Sequence, residues 1–310
     1  CIVFRLISSF FLGWALGAND SANGFGTAVS SRMIRYSTAV VLTAVFVIIG
    51  SFIQGHEGLK TLGNLTNQTI NTAFIVSLAS AITVTIMTIL KLPISTSQSV
   101  VGAILGIGIM QNNINATGLT KVIICWIGTP VGGFIFGIIL YYIFLYFFKR
   151  FRPTIFTADE ILRIGLIIAG SYGAYALGAN NVANVTGVFS GNLLSSTQAV
   201  LLGGISIAAG ALTFSKNVML TVGKSIVKLD AFSALIVTVA HSVTVHIYAI
   251  IGVPVSTSQA IVGAVIAIGF IKGIQTINFI TLGKVLSAWV FTPFVGMVFS
   301  IVIYSFQISK

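Results

Sequence analysis

Acidic side chains are nearly missing from this sequence, with five Asp and Glu among 310 residues against sixteen Lys and Arg. Charged residues of both signs amount to 7 %, where a soluble domain carries about 25 %. Extended polar stretches are missing as well. The longest plainly polar connection is Lys149 to Arg163. These absences exclude an ordinary soluble domain. The two cysteines, Cys1 and Cys125, have no metal-ligand spacing, which argues against a zinc site or a structural disulfide. No Ser/His/Asp set, metal-binding cluster or nucleotide-binding loop is present, so an enzyme is the least supported class and no cofactor is expected.

What fills the chain instead is apolar sequence, 56 % of all residues. Runs of roughly 20 apolar residues recur along the whole length, the mark of an all-α polytopic membrane protein. Spans are predicted near 2–30, 38–56, 72–90, 94–110 and 121–148, then near 164–190, 198–214, 231–251, 255–271 and 281–307.

The second set repeats the first. "LGANDSANGFG" (Leu16 to Gly26) returns as "LGANNVANVTG" (Leu177 to Gly187). "PISTSQSVVGAILGIG" from Pro93 returns as "PVSTSQAIVGAVIAIG" from Pro254. Both pairs are 161 residues apart, and Lys121, Trp126 and Pro130 match Lys284, Trp289 and Pro293 at 163. The chain therefore divides into two repeats, 1–155 and 156–310, with the boundary near Phe156 to Glu160.

Five crossings per repeat is an odd number, so the halves are expected to sit in opposite orientations. With the central linker in the cytoplasm, twelve of the sixteen basic residues fall on that side, Lys91, Lys224 and Lys228 among them. Only Arg5, Lys60, Lys121 and Lys310 fall outside. That bias satisfies the positive-inside rule and puts both termini outside. It also explains the net charge of +11 as an orientation signal rather than a nucleic-acid footprint. Inverted repeats with broken helices are the architecture of secondary transporters, whose substrate sites lie at the repeat interface.

The polar motifs are costly where they stand. A carboxylate such as Asp20 at the centre of a membrane helix costs about 2.5–3.5 kcal/mol on insertion scales. Gly17, Gly24 and Gly26 predict a break in the helix here, which would free backbone carbonyls beside Asn19, Asp20 and Asn23. Carboxylate, amide and carbonyl oxygens form a hard set suited to Na⁺. The second copy offers Asn180, Asn181 and Asn184, with one charge fewer. The plainer reading is that these amides join helices by hydrogen bonds.

Ser95, Thr96 and Ser97, and likewise Ser256, Thr257 and Ser258, read as a re-entrant loop followed by a hydroxyl-capped helix start. Hydroxyls, free N–H groups and the positive end of the helix dipole make an anion cradle. Two cradles, in opposite halves, can surround one tetrahedral oxyanion. Capping alone accounts for one hydroxyl per motif, not three. His241 and His246 suit either a proton relay or helix packing, and Asp230 reads as a helix cap. Asn64, Asn67 and Asn115 open N-x-T sequons in stretches read as external loops.

Together, "GANDSANGFGTAVSS", "LPISTSQSVVGAILG", "GANNVANVTG" and "VPVSTSQAIVGAVIAIGFIKG" resemble the inorganic phosphate transporter (PiT) family over essentially the whole chain. The resemblance implies an inverted-repeat fold, usually dimeric, in the plasma membrane. It implies cation-coupled phosphate symport, with Na⁺ favoured over H⁺. From the motif chemistry above, the expected substrate contacts are Asp20, Ser95, Thr96, Ser97, Asn181, Ser256, Thr257 and Ser258, and the expected Na⁺ contacts are Asn19, Asp20, Asn23, Asn180 and Asn184. Three departures stand out. Asn181 replaces a usual Asp, Thr238 a frequent Glu, and Gln98 and Gln259 a common His. The lost carboxylates keep a related sulfate permease open as the alternative. Asp20 favours phosphate, because it can accept a hydrogen bond from a protonated phosphate and would repel sulfate. A passive channel is a weaker reading, since polarity is confined to four short motifs.

Overall fold

A computed structural model describes residues 2–66, 68–89, 94–191, 193–216, 218–219, 227 and 229–308. Cys1, Asn67, Lys91, Pro93, Lys224, Lys228 and Lys310 lie outside the described residues. The first half contains α1 (Ile2–Ser30), α2 (Tyr36–Gln54), α3 (His56–Gly63), α4 (Ile70–Ile89), α5 (Thr96–Gln111) and α6 (Ala116–Phe151). The second contains α7 (Ile155–Thr186), α8 (Ser196–Phe214), α9 (Ala231–Ile251), α10 (Thr257–Lys272) and α11 (Phe279–Ile308). Seven of these, α2, α4, α6, α7, α8, α9 and α11, are long and apolar enough to cross a membrane. The chain is an all-α, multi-pass integral membrane protein. Helices suit that solvent because each satisfies its own backbone hydrogen bonds.

The helix ends follow local chemistry. Asn115 and Thr154 cap α6 and α7 by accepting from the N–H of Gly118 and Thr157. Ser195 and Gln198 form a complete capping box on α8. Asp230 caps α9, accepting from the Ser233 N–H at 2.7 Å, and pairs with Lys272 at the far end of α10. Asn112 (φ 52°) ends α5 and Gly252 (φ 74°) ends α9, each in the left-handed conformation these residue types tolerate.

Two expectations fail. Of the spans read from the sequence, 94–110 and 255–271 form α5 and α10, which at 16 residues each are not among the helices long enough to cross. The glycine-rich motifs do not break their helices: α1 runs unbroken from Ile2 to Ser30 and α7 from Ile155 to Thr186, with a 3₁₀ turn (Gly187–Phe189) closing α7. The reason is packing. A Cβ on Gly17 would stand 1.9 Å from the carbonyl oxygen of Ile207, and one on Gly178 would stand 2.1 Å from that of Val47. The glycines let helix backbones touch, as small residues do in membrane bundles. The propensity cost of roughly 1 kcal/mol per glycine is overridden by tertiary contact.

These contacts come in reciprocal pairs that cross between the halves. Gly17 seats α1 on α8, and Gly178 seats α7 on α2. Gly50 meets the Tyr175 carbonyl and Gly210 the Trp14 carbonyl, both at 2.0 Å from the Cβ position. Gly102 on α5 meets the carbonyl of Pro293 in α11, and Gly263 on α10 meets that of Pro130 in α6, again both at 2.0 Å. Each half therefore holds helices of the other. The outer faces of α6 and α11 carry exposed apolar side chains such as Ile127, Val131, Phe291 and Phe294, as lipid contact requires.

Candidate functional site

The buried polar residues gather where α1, α7 and the starts of α5 and α10 meet. Asn19, Asp20, Asn23, Asn180, Asn181 and Asn184 are all buried, as are Ser95 to Ser97 and Ser256 to Ser258. The two hydroxyl motifs begin helices as expected. Ser95 Oγ accepts from the Gln98 N–H and Ser256 Oγ from the Gln259 N–H, both at 3.2 Å.

All four motifs touch. Asn23 on α1 donates to Thr257 Oγ1 at 3.0 Å and to Ser258 Oγ at 3.3 Å. Its counterpart Asn184 on α7 donates to Ser97 Oγ at 2.8 Å and to Asn181 Oδ1 at 2.6 Å. Each motif helix thus reaches the hydroxyl motif of the opposite half. Thr96 Oγ1 donates to Asp20 Oδ2 at 3.4 Å. Ser97 Oγ donates to the Val255 carbonyl at 2.8 Å and lies 3.5 Å from Asn181 Oδ1.

The outer asparagines act differently. Asn180 pins the segment before α10: its Nδ2 donates to the Val253 carbonyl at 3.1 Å and its Oδ1 accepts from the Val255 N–H at 2.9 Å. Asn19 donates to Thr88 Oγ1 on α4 at 2.9 Å. Because α1 and α7 are continuous, their backbone carbonyls stay within the helices, and the motifs present side-chain oxygens only.

The electrostatics centre on one group. Asp20 is 2 % exposed and is the only buried acid of the five. The ion pairs among the described residues are Glu57–Lys60 and Asp230–Lys272, so Asp20 has no basic partner among them. Asp20 Oδ1, Asn181 Nδ2 and Asn184 Oδ1 are buried without a partner among the described residues. Around them stand the N-termini of α5 and α10, whose dipoles favour negative charge. The arrangement offers donors for an anion beside an acidic group that itself calls for a cation or a proton.

Residues outside the expected set also enter. Thr27 and Thr238 share a hydrogen bond of 3.1 Å that ties α1 to α9 one turn below Asn23. His246 bonds Tyr172 and Gln54, joining α9, α7 and α2. His241 is buried with both ring nitrogens unpartnered among the described residues, and its Nδ1 lies near Gly173. Gln98 and Gln259 are buried in the first turns of α5 and α10. In the sequence they stand where the family commonly has His, and their S-x-x-Q spacing reads as a capping arm.

The sequence pattern of the phosphate transporter family matches residues 16–300, a stretch that takes in all four motifs. The chain belongs to that family. Among its relatives, a putative phosphate permease of Methanocaldococcus jannaschii is 30 % identical, with 97 % of this chain and 96 % of the relative covered. The sulfate permease CysP of Bacillus subtilis is 29 % identical over 97 % of this chain and 86 % of its own length. A solved structure titled as the sodium-dependent phosphate transporter superposes with a TM-score of 0.83, covering 99 % of this chain and 98 % of that one at 22 % identity. That likeness establishes the shared fold of this phosphate transporter family member.

Proposed function

We propose that the chain is a secondary transporter that carries inorganic phosphate across the membrane together with a cation, Na⁺ ahead of H⁺. The observation that carries this reading is Asp20, a buried carboxylate without a basic partner among the described residues, set where four donor-rich motifs converge. Phosphate and Asp20 repel each other unless a cation or proton lies between them, so each ligand raises the affinity for the other. The hydroxyls of Ser95, Thr96, Ser97, Ser256, Thr257 and Ser258, with Asn181, face the anion. Asn19, Asp20, Asn23 and Asn184 supply cation oxygens, and Asn180 holds the second hydroxyl segment in place.

Sulfate is the second reading, favoured by the Bacillus subtilis relative and by the missing acid at Asn181. Uptake of labelled phosphate and sulfate into proteoliposomes, with Na⁺ or choline outside, separates the two. Na⁺-stimulated phosphate uptake that excess sulfate does not block is expected. Sulfate uptake that phosphate fails to inhibit would reverse the assignment.

We read the two halves, 1–155 and 156–310, as inverted repeats around a pseudo-two-fold axis. The reciprocal glycine contacts between the halves support this. At 16 residues, or about 24 Å, α5 and α10 fall short of a bilayer core of about 30 Å, which supports the reading that each returns from a re-entrant tip at the site. Treating α4–α5 and α9–α10 as such hairpins leaves three crossings per half, still an odd number. Both termini then face outward, with the central linker cytoplasmic and the protein in the plasma membrane. Single cysteines at position 310 and within 152–159 should react with an impermeant thiol reagent from opposite sides. Labelling from one side would defeat the inverted arrangement. A homodimer in the membrane completes the proposal.

A further inference from the structure

The sequence S-x-x-Q opens three helices of this chain, and the structure uses it in two ways. At α8 the box closes. The Gln198 N–H donates to Ser195 Oγ at 3.3 Å, and Gln198 Oε1 accepts from the Ser195 N–H at 3.1 Å. At α5 and α10 the serine arm is the same, with Ser95 and Ser256 accepting at 3.2 Å. The glutamine arm is not. Gln98 Oε1 and Gln259 Oε1 are buried and have no partner among the described residues.

Gln198 makes its bond in an exposed setting, where water could replace it. Gln98 and Gln259 are 5 % and 3 % exposed and forgo the same bond where no solvent stands in. Leaving a buried carbonyl unmade costs more than an ordinary hydrogen bond returns. The same cost is taken twice, at positions 161 residues apart. Each glutamine follows a serine bonded into the convergence. Ser97 receives Asn184, and Ser258 receives Asn23.

We infer that Gln98 and Gln259 are specificity-determining residues whose side-chain carbonyls accept hydrogen bonds from the hydroxyl groups of a protonated oxyanion. An unpartnered carbonyl needs either a cation or a hydrogen-bond donor. Both glutamines lie in the first turn of a helix, where the dipole disfavours a cation and favours an anion. The partner that satisfies both demands is an anion carrying its own O–H. Hydrogen phosphate has one such group and dihydrogen phosphate two, whereas sulfate at neutral pH has none. With sulfate in the cradle both carbonyls stay unpartnered, and sites built to bond a hydroxyl reject analogues that lack it. This inference rests on the phosphate reading above and adds to it the means of discrimination.

The test is competition binding on the full chain in detergent at saturating Na⁺, with labelled phosphate displaced by unlabelled phosphate or sulfate. Gln98→Met and Gln259→Met keep side-chain length and remove the carbonyl, and Gln98→Leu is a second removal should the methionine variant not fold. Each variant is expected to weaken phosphate roughly tenfold to a hundredfold and to leave sulfate no weaker, so that the selectivity ratio falls by the same factor. Equal weakening of both anions, or unchanged binding of both, overturns the inference. So does a shift in the half-maximal Na⁺ concentration with selectivity intact, which would make the glutamines cation ligands. Wild-type protein that fails to bind phosphate would refute the transport reading itself. Wild-type binding with selectivity preserved in the variants would refute only the role of the glutamines.

Discussion

Asp20→Asn should abolish Na⁺-driven phosphate uptake while leaving a folded protein. Asparagine fills the same volume and can still accept the hydroxyl of Thr96, which lies 3.4 Å from the carboxylate. What it cannot do is hold a cation by charge. Two unit charges about 4 Å apart attract by about 4 kcal/mol at an effective dielectric of 20, which is about three orders of magnitude in affinity. Na⁺ occupancy is therefore expected to vanish at millimolar concentrations, and the anion loses the ion that screens it. The variant should melt no lower than wild type without Na⁺, since it buries an amide in place of an unpaired acid. The converse change, Asn181→Asp, gives the second motif the charge of the first and should steepen the Na⁺ dependence. The measurement is initial uptake rate against Na⁺ at fixed pH, then against pH without Na⁺. Retention of both wild-type curves by Asp20→Asn would remove it from the coupling machinery.

The second large effect concerns packing. Gly17→Ala and Gly178→Ala should each lower the melting temperature, and the double variant should yield little folded protein. Helix propensity alone argues the opposite, because alanine favours a helix over glycine by about 1 kcal/mol. If these glycines served to break α1 and α7, alanine would simply lengthen good helices. They serve instead to admit a neighbouring carbonyl to 1.9 Å and 2.1 Å of the Cβ position, and no methyl fits there. The helices must part by more than an ångström. Overpacking of this kind costs roughly 1–3 kcal/mol per site. At Gly178 it also strains the bond from Ser51 Oγ to the Gly178 carbonyl, 3.2 Å long. Gly283, with nothing within 4 Å of its Cβ position, is the internal control, and alanine there should be neutral or better. A Gly17→Ala variant as benign as Gly283→Ala would refute the packing account.

Much of this site could be read before any coordinates. The apolar helices, the 161-residue repeat and the hydroxyl caps are local or periodic, and such features depend on neighbours in the chain. Ser95 caps α5 because of residues three positions away. The convergence was legible for another reason: two copies of a costly polar motif in a lipid-facing sequence have few places to go. The continuity of α1 and α7 was not legible. Glycine serves equally to interrupt a helix and to bring two helices together, and only the partner distinguishes these uses. For Gly17 that partner is Ile207, far along the chain. The dual use of S-x-x-Q was hidden in the same way, since Gln198 and Gln98 differ in surroundings and not in spacing. The bond from Asn23 to Thr257 spans 234 residues, and no local pattern announces it.

The exchanged glycine contacts also set an order of events at the ribosome. The face of α1 that carries Gly17 is matched by α8, and that of α5 that carries Gly102 by α11, both of which are synthesised in the second half. While the first half is emerging, neither face has its mate. Asn23 is then without its partners, because Thr257 and Ser258 do not yet exist. Close packing of these helices is thereby tied to the completion of the chain, and a product truncated after the first half is left with bare glycine grooves.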